Sequence, residues 1–78
     1  MAILTNSIEV KKGIFSINGE YYEYKDPLNV KDLLSYLGFN TKIIVIDYNG
    51  NVLQRESWTK TFIKSMDKIE ILTIAGGG

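Results

Sequence analysis

One stretch of the chain repeats with the period of a helix, and it lies between segments that alternate like strands. In "NVKDLLSYLG" the apolar residues Val30, Leu33, Leu34 and Leu37 fall at i, i+3, i+4 and i+7, which places them in one stripe on a helical surface. Asn29 is placed to accept as N-cap, Asp32 suits the positive N-terminal end, and Gly38 supplies the left-handed residue that ends the helix. A stripe of this kind in so small a domain reads as core rather than as a face docked on a partner, so the helix forms the back of the core.

On its N-terminal side, "GIFSINGEYYEYKD" holds two β-prone runs separated by Asn18-Gly19, a strong hairpin signal, and Pro27 breaks the pattern before the helix. On its C-terminal side, "KIIVIDYNGNVLQ" carries a continuous apolar run that suits a central strand buried on both faces, and Asn49-Gly50 turns the chain. "RESWTKTF" shows no strong period and reads as a turn or single helical turn between Arg55 and Thr61. In the last strand, "KIEILTI", Ile69, Ile71 and Thr73 share one face while Glu70, Leu72 and Ile74 share the other.

The order is ββαββ. A strand starting near residue 14 and one ending near residue 74 can pair in the middle of a mixed sheet, with the helix crossing one face. The expected fold class is therefore α+β, a β-grasp (ubiquitin-like) arrangement of a mixed four- to five-stranded sheet packed on one main helix. The expected organisation is an N-terminal extension over 1–12, mobile or forming an extra edge strand, a β-grasp domain over 13–74, and a flexible glycine tail over 75–78.

With 78 residues there is room for one domain only. Nine basic and nine acidic residues balance, without a basic stripe, which argues against a nucleic-acid partner. The absence of cysteine and histidine removes thiolate chemistry and the commonest acid–base and metal-ligating side chain, so self-contained catalysis and a resident metal are not expected. The longest apolar run, Ile43 to Ile46, is too short to span a bilayer, and the N-terminus lacks a signal-peptide core. These features lead to the expectation of a cytoplasmic or stromal protein without membrane partners. Eleven Ile and eight Lys against one Arg fit an A/T-rich coding genome, such as that of a low-GC bacterium or an organelle.

The remaining reactive group is the chain end, "ILTIAGGG". Glycines have no Cβ, so Gly76, Gly77 and Gly78 can thread a narrow channel and let another backbone approach the terminal carboxylate. At roughly 3.3 Å per extended residue, Ala75 to Gly78 reach about 13 Å beyond the sheet. A carboxylate becomes a useful electrophile once adenylated, after which sulfur can attack to leave a thiocarboxylate on Gly78. On chemistry alone a mobile surface tail explains the glycines equally well.

Across Phe15 to Gly78 the chain resembles the sulfur-carrier proteins of thiamin biosynthesis, the ThiS type. The resemblance rests on "INGEYYEYKDPLNVKDLLSYLG", on "NGNVLQRESW" with its Arg-x-x-Trp, and on "DKIEILTIAGGG". It implies a protein co-substrate rather than an enzyme. A ThiF-like adenylating enzyme would use ATP to activate Gly78, a cysteine-derived sulfur donor protein would supply sulfur, and thiazole synthase would consume the thiocarboxylate. No catalytic residue and no bound cofactor are implied. A molybdopterin-type carrier and a ubiquitin-like modifier share the fold and tail and stand as alternatives. Two departures stand out: family members usually begin at the first hairpin strand, and they commonly have Gly where Met66 precedes Asp67, so that turn is expected to need another geometry.

Glu70, Leu72 and Ile74 are candidate docking residues beside the tail, with core packing as the competing reading for the two apolar ones. Trp58 and Arg55 read as packing rather than recognition. Tyr21, Tyr22 and Tyr24 read as ordinary strand tyrosines. The acidic residues are scattered and show no metal-binding or dyad spacing.

Overall fold

The structure, a computed structural model, describes residues 13–74. The expected extension over 1–12 and glycine tail over 75–78 lie outside the described residues.

The first hairpin joins β1 (Gly13–Ile17) to β2 (Glu20–Tyr24) in antiparallel register, with Ile17 opposite Glu20 and Gly13 opposite Tyr24. Both turn residues are left-handed, Asn18 at φ 49 and Gly19 at φ 88, as a two-residue hairpin requires. The helix α1 (Val30–Tyr36) follows, capped by Asn29, whose Oδ1 accepts from the Asp32 N–H at 2.7 Å. Leu37 closes it and Gly38 takes the left-handed conformation, φ 85, which lets the Phe39 N–H reach back to the Leu34 carbonyl at 3.1 Å. Seven residues cannot sustain a helix alone, so its stability comes from burying Val30, Leu33 and Leu34.

A 3-10 turn at Thr41–Ile43 leads into β3 (Ile44–Tyr48), which pairs antiparallel with the short β4 (Asn51–Leu53). A second 3-10 turn, Arg55–Ser57, lies within the expected single helical turn. The segment after it is tied to the start of α1 through Val30 N–H to the Thr61 carbonyl and Ile63 N–H to the Leu28 carbonyl, at 2.9 and 2.8 Å. The last strand, β5 (Lys68–Thr73), runs parallel to β1 and antiparallel to β3. The five strands lie in the order β2-β1-β5-β3-β4, with β5 in the middle.

The core is the layer between α1 and one sheet face, where Phe15, Ile17, Ile44, Ile46, Ile69 and Ile71 meet Val30, Leu33 and Leu34. Two expectations are corrected here. The apolar run at Ile43 to Ile46 is not a central strand buried on both faces: β3 lies beside β5, with Ile44 and Ile46 buried, Val45 half-buried and Ile43 exposed. Among the described residues a helix covers one sheet face, so alternate residues of the run supply the other face. The ββαββ order also lacked β4, whose three residues are too short to show a period.

Candidate functional site

Both ends of β5 are fixed by polar contacts. At its start, Asp67 is buried and its carboxylate accepts from the Tyr48 phenol, from Asn49 Nδ2 at 3.1 Å and from the Lys64 N–H at 2.7 Å. Asn49, left-handed at φ 53, accepts from the Lys68 N–H at 2.7 Å and donates its own N–H to the Lys68 carbonyl at 2.8 Å. A buried carboxylate is tolerated because its oxygens are satisfied in this way. Burial raises the Tyr48 pKa, and the hydrogen bond and charge of Asp67 raise it further, with a smaller contribution from Tyr24.

Midway along the strand, the Asn18 side chain acts like one more rung of the β1–β5 ladder. Its Oδ1 accepts from the Ile71 N–H at 2.8 Å and its Nδ2 donates to the Ile71 carbonyl at 3.4 Å. Past the end of β5, the Ile74 N–H donates to the Ile43 carbonyl at 2.7 Å, which sets where the chain leaves the sheet.

Glu70, Leu72 and Ile74 lie on the sheet face away from α1. Leu72 is 61% exposed and Ile74 43%, so core packing does not account for them. Leu72 faces Val45 across the ladder, and Val52, also 61% exposed, belongs to the same face through its pairing with Asp47. A shallow groove beside them is lined by Val45, Val52, Arg55, Trp58 and Ile74. Glu70 is half-buried opposite Asp47, and the repulsion between these carboxylates is relieved by Lys68, whose Nζ lies 3.8 Å from Glu70 Oε2. The result is an apolar patch at the root of the tail, bordered by an acidic row. Gly76, Gly77 and Gly78 lie outside the described residues.

Trp58 is packing, as expected: it is buried and its Nε1 donates to the Leu53 carbonyl at 3.1 Å. The Arg55 guanidinium lies 4.7 Å from the Trp58 ring centroid and donates to the Thr41 carbonyl, which ties the second 3-10 turn to the first. Tyr22 and Tyr24 pack on Phe15, with ring centroids 5.6 and 5.9 Å apart, whereas Tyr21 is 75% exposed. The turn before Asp67 corrects another expectation. Met66 takes the left-handed conformation itself, at φ 75, so the turn keeps the geometry that glycine would give it.

Sequence reasoning missed the Asp67 cluster, whose members are separated by up to 19 residues without a local signature. It also missed Val45 and Val52 as patch residues, although alternation along two paired strands carries that signal.

A family model described as the ThiS family matches residues 15–78. The chain belongs to the ThiS family. This is the family of small sulfur carriers of thiamin biosynthesis, and its members act as carriers rather than as catalysts. The chain resembles a solved thiamine biosynthesis protein (ThiS) from Geobacter metallireducens, with a TM-score of 0.72 and 34% identity over 83% of this chain and 99% of that one. The protein named ycf40 from Trieres chinensis is 44% identical over 82% of this chain and 88% of its own length. A thiazole synthase from Paramagnetospirillum magneticum is 29% identical over 80% of this chain, which corresponds to 19% of that protein.

Proposed function

We propose that this chain carries sulfur as a thiocarboxylate on Gly78. A carboxylate oxygen of Gly78 attacks the α-phosphorus of ATP in a ThiF-like adenylating enzyme, and pyrophosphate leaves. The outer sulfur of a persulfide on a cysteine-derived donor protein then attacks the acyl carbon and AMP leaves with one carboxylate oxygen; a thiol cleaves the S–S bond of the resulting acyl disulfide, forming a disulfide with the donor cysteine and releasing the thiocarboxylate. Thiazole synthase consumes the product. In this reading the chain holds no cofactor of its own, ATP belongs to the partner, and Gly76 and Gly77 are the unhindered lead-in to the reacting carbon.

The observation that carries the reading is the family match, which runs through the three glycines to residue 78. The exposed patch formed by Leu72, Ile74, Val45 and Val52 supports it, because a carrier must be gripped beside its tail by successive enzymes. The likeness to one-fifth of a thiazole synthase supports that enzyme as the acceptor and favours the thiamin route over a molybdopterin one. The ycf40 relatives favour the plastid stroma over the cytoplasm as the place of action.

Intact-mass spectrometry after incubation with ATP, the adenylating enzyme and a sulfur donor tests the reading. The expected result is the mass gain of one oxygen replaced by sulfur, abolished by removal of Gly77 and Gly78 without loss of the fold. An unchanged mass sinks the proposal, and high-mass conjugates in place of the thiocarboxylate identify a protein modifier instead.

A further inference from the structure

Ile74 is the last of the described residues, and the hydrogen bond that holds it lies beyond the β3–β5 ladder, whose final pair is Ile44 with Thr73. Its N–H donates to the carbonyl of Ile43, 2.7 Å away, and Ile43 belongs to the 3-10 turn Thr41–Ile43 rather than to β3. Where that carbonyl points is therefore set by the turn. A three-residue 3-10 turn has weak internal hydrogen bonding, so its shape depends on what surrounds it. Asn40 caps one end: its Oδ1 accepts from the Lys42 N–H at 3.1 Å and its carbonyl from the Ile43 N–H at 3.2 Å. The Thr41 carbonyl takes its bond from farther away, from the guanidinium of Arg55.

Arg55 is exposed, and an exposed arginine ordinarily keeps its rotamer freedom. Here two partners restrain it. The guanidinium carbon lies 4.7 Å from the Trp58 ring centroid, and that ring is itself fixed, buried and donating from Nε1 to the Leu53 carbonyl at 3.1 Å. A planar guanidinium can lie over a ring and donate from its edge at the same time, a combination that the compact lysine ammonium does not offer. Contacts thus run from Trp58 through Arg55 and Thr41 to Ile43 and Ile74. Arg55 and Ile74 also line the same groove, of about 170 Å³.

We propose that Arg55 is a positioning residue for the adenylation of Gly78. By holding the Thr41–Ile43 turn against Trp58, it keeps the Ile74 N–H on the Ile43 carbonyl and so fixes the residue from which the chain continues to the reacting carboxylate. The kinetic part of this role rests on the sulfur-carrier reading. An enzyme that receives Ile74 already ordered does not have to order it, whereas a loosened Ile74 adds conformational entropy to the cost of binding. The loss falls on KM, because Arg55 takes no part in the chemistry at Gly78.

Two measurements on the full chain and on Arg55→Met, which keeps an apolar stem over Trp58 but loses the donors, test this role. A thermal melt establishes that both proteins are folded. Amide exchange by NMR, without any enzyme, is expected to quicken at Ile74 by at least about fivefold in Arg55→Met, with the Asn18 and Ile63 amides unchanged, since the opening is local. In ATP–pyrophosphate exchange with a ThiF-like adenylating enzyme, the KM for the chain should rise at least about fivefold while kcat stays within about twofold. Equal Ile74 rates overturn the proposal. A raised KM with unchanged Ile74 exchange overturns it in favour of direct contact between Arg55 and the enzyme, and a quickened Ile74 with unchanged KM removes the kinetic role. Absence of pyrophosphate exchange with the unaltered chain sinks the carrier reading and the kinetic role with it, while a quickened Ile74 would still establish the tie to Arg55. In the unaltered chain the Ile74 amide should exchange at least about tenfold more slowly than an unstructured amide, and unprotected exchange there overturns the proposal even where Arg55→Met fails to fold.

Discussion

The Tyr48 phenol donates its hydrogen bond to the buried carboxylate of Asp67, joining the end of β3 to the residue before β5. Because burial and Asp67 together raise the Tyr48 pKa above its ordinary 10.0, the folded protein keeps a proton that the unfolded chain releases first. The unfolded state therefore binds fewer protons above pH 10, and stability falls as pH rises there. The contribution is complete below the unfolded value and is lost through the folded one. Urea unfolding of the Tyr48→Phe variant should show a shallower decline between pH 9.5 and 11 (about the range where tyrosine titrates) than the wild type. At neutral pH the same variant should cost about 1–3 kcal/mol, the usual cost of removing a hydrogen bond to a charged group.

Met66 holds φ 75 with its side chain 78% exposed. Two substitutions that both remove its exposed thioether arm but differ at Cβ isolate the backbone effect. Glycine enters this region freely and a β-branched residue does not, so Met66→Gly should be more stable than Met66→Val by about 1–2 kcal/mol in chemical denaturation. Equal stabilities would mean that the turn relaxes out of the left-handed region.

Gly13 faces a different constraint, since a Cβ there would lie 2.3 Å from Cε1 of Tyr24. The obstructing atoms are the far end of a side chain, which makes the clash removable. Gly13→Ala should cost about 1–2 kcal/mol in the native background and distinctly less beside Tyr24→Ala, a coupling that a double-mutant cycle measures.

Leu72 and Ile71 are neighbours on opposite faces of β5. Ile71→Ala should lower stability by about 2–4 kcal/mol because it opens a cavity against α1. Leu72→Asp should leave the melting temperature nearly unchanged while weakening binding to the adenylating enzyme at least tenfold, read by calorimetric titration. A large loss of stability with binding retained would return Leu72 to the core.

What the sequence made legible follows the range of the interactions. Asn18-Gly19 dictated its hairpin, and Asn29 with the Val30, Leu33, Leu34 spacing dictated the helix, because caps, turns and periodicity act over a few residues. The alternation along residues 68–74 separated Leu72 and Ile74 from Ile69 and Ile71 before any sheet was drawn. The Asp67 cluster, the Asn18 rung on Ile71 and the left-handed Met66 were not legible. Each arises from contacts across 19 to 53 residues, or from the surroundings holding a backbone angle that the residue itself disfavours.

The place of β5 in the sheet bears on how this protein is made. Among the described residues, β2 and β1 stand on one side and β3 and β4 on the other, and within the sheet the two hairpins are joined through β5, the last of these strands in chain order. Until Lys68–Thr73 emerges, β1 and β3 both present bare edges, and the nascent chain is two unconnected hairpins beside an unsupported helix. A chain stalled short of residue 68 is therefore a substrate for proteases and chaperones.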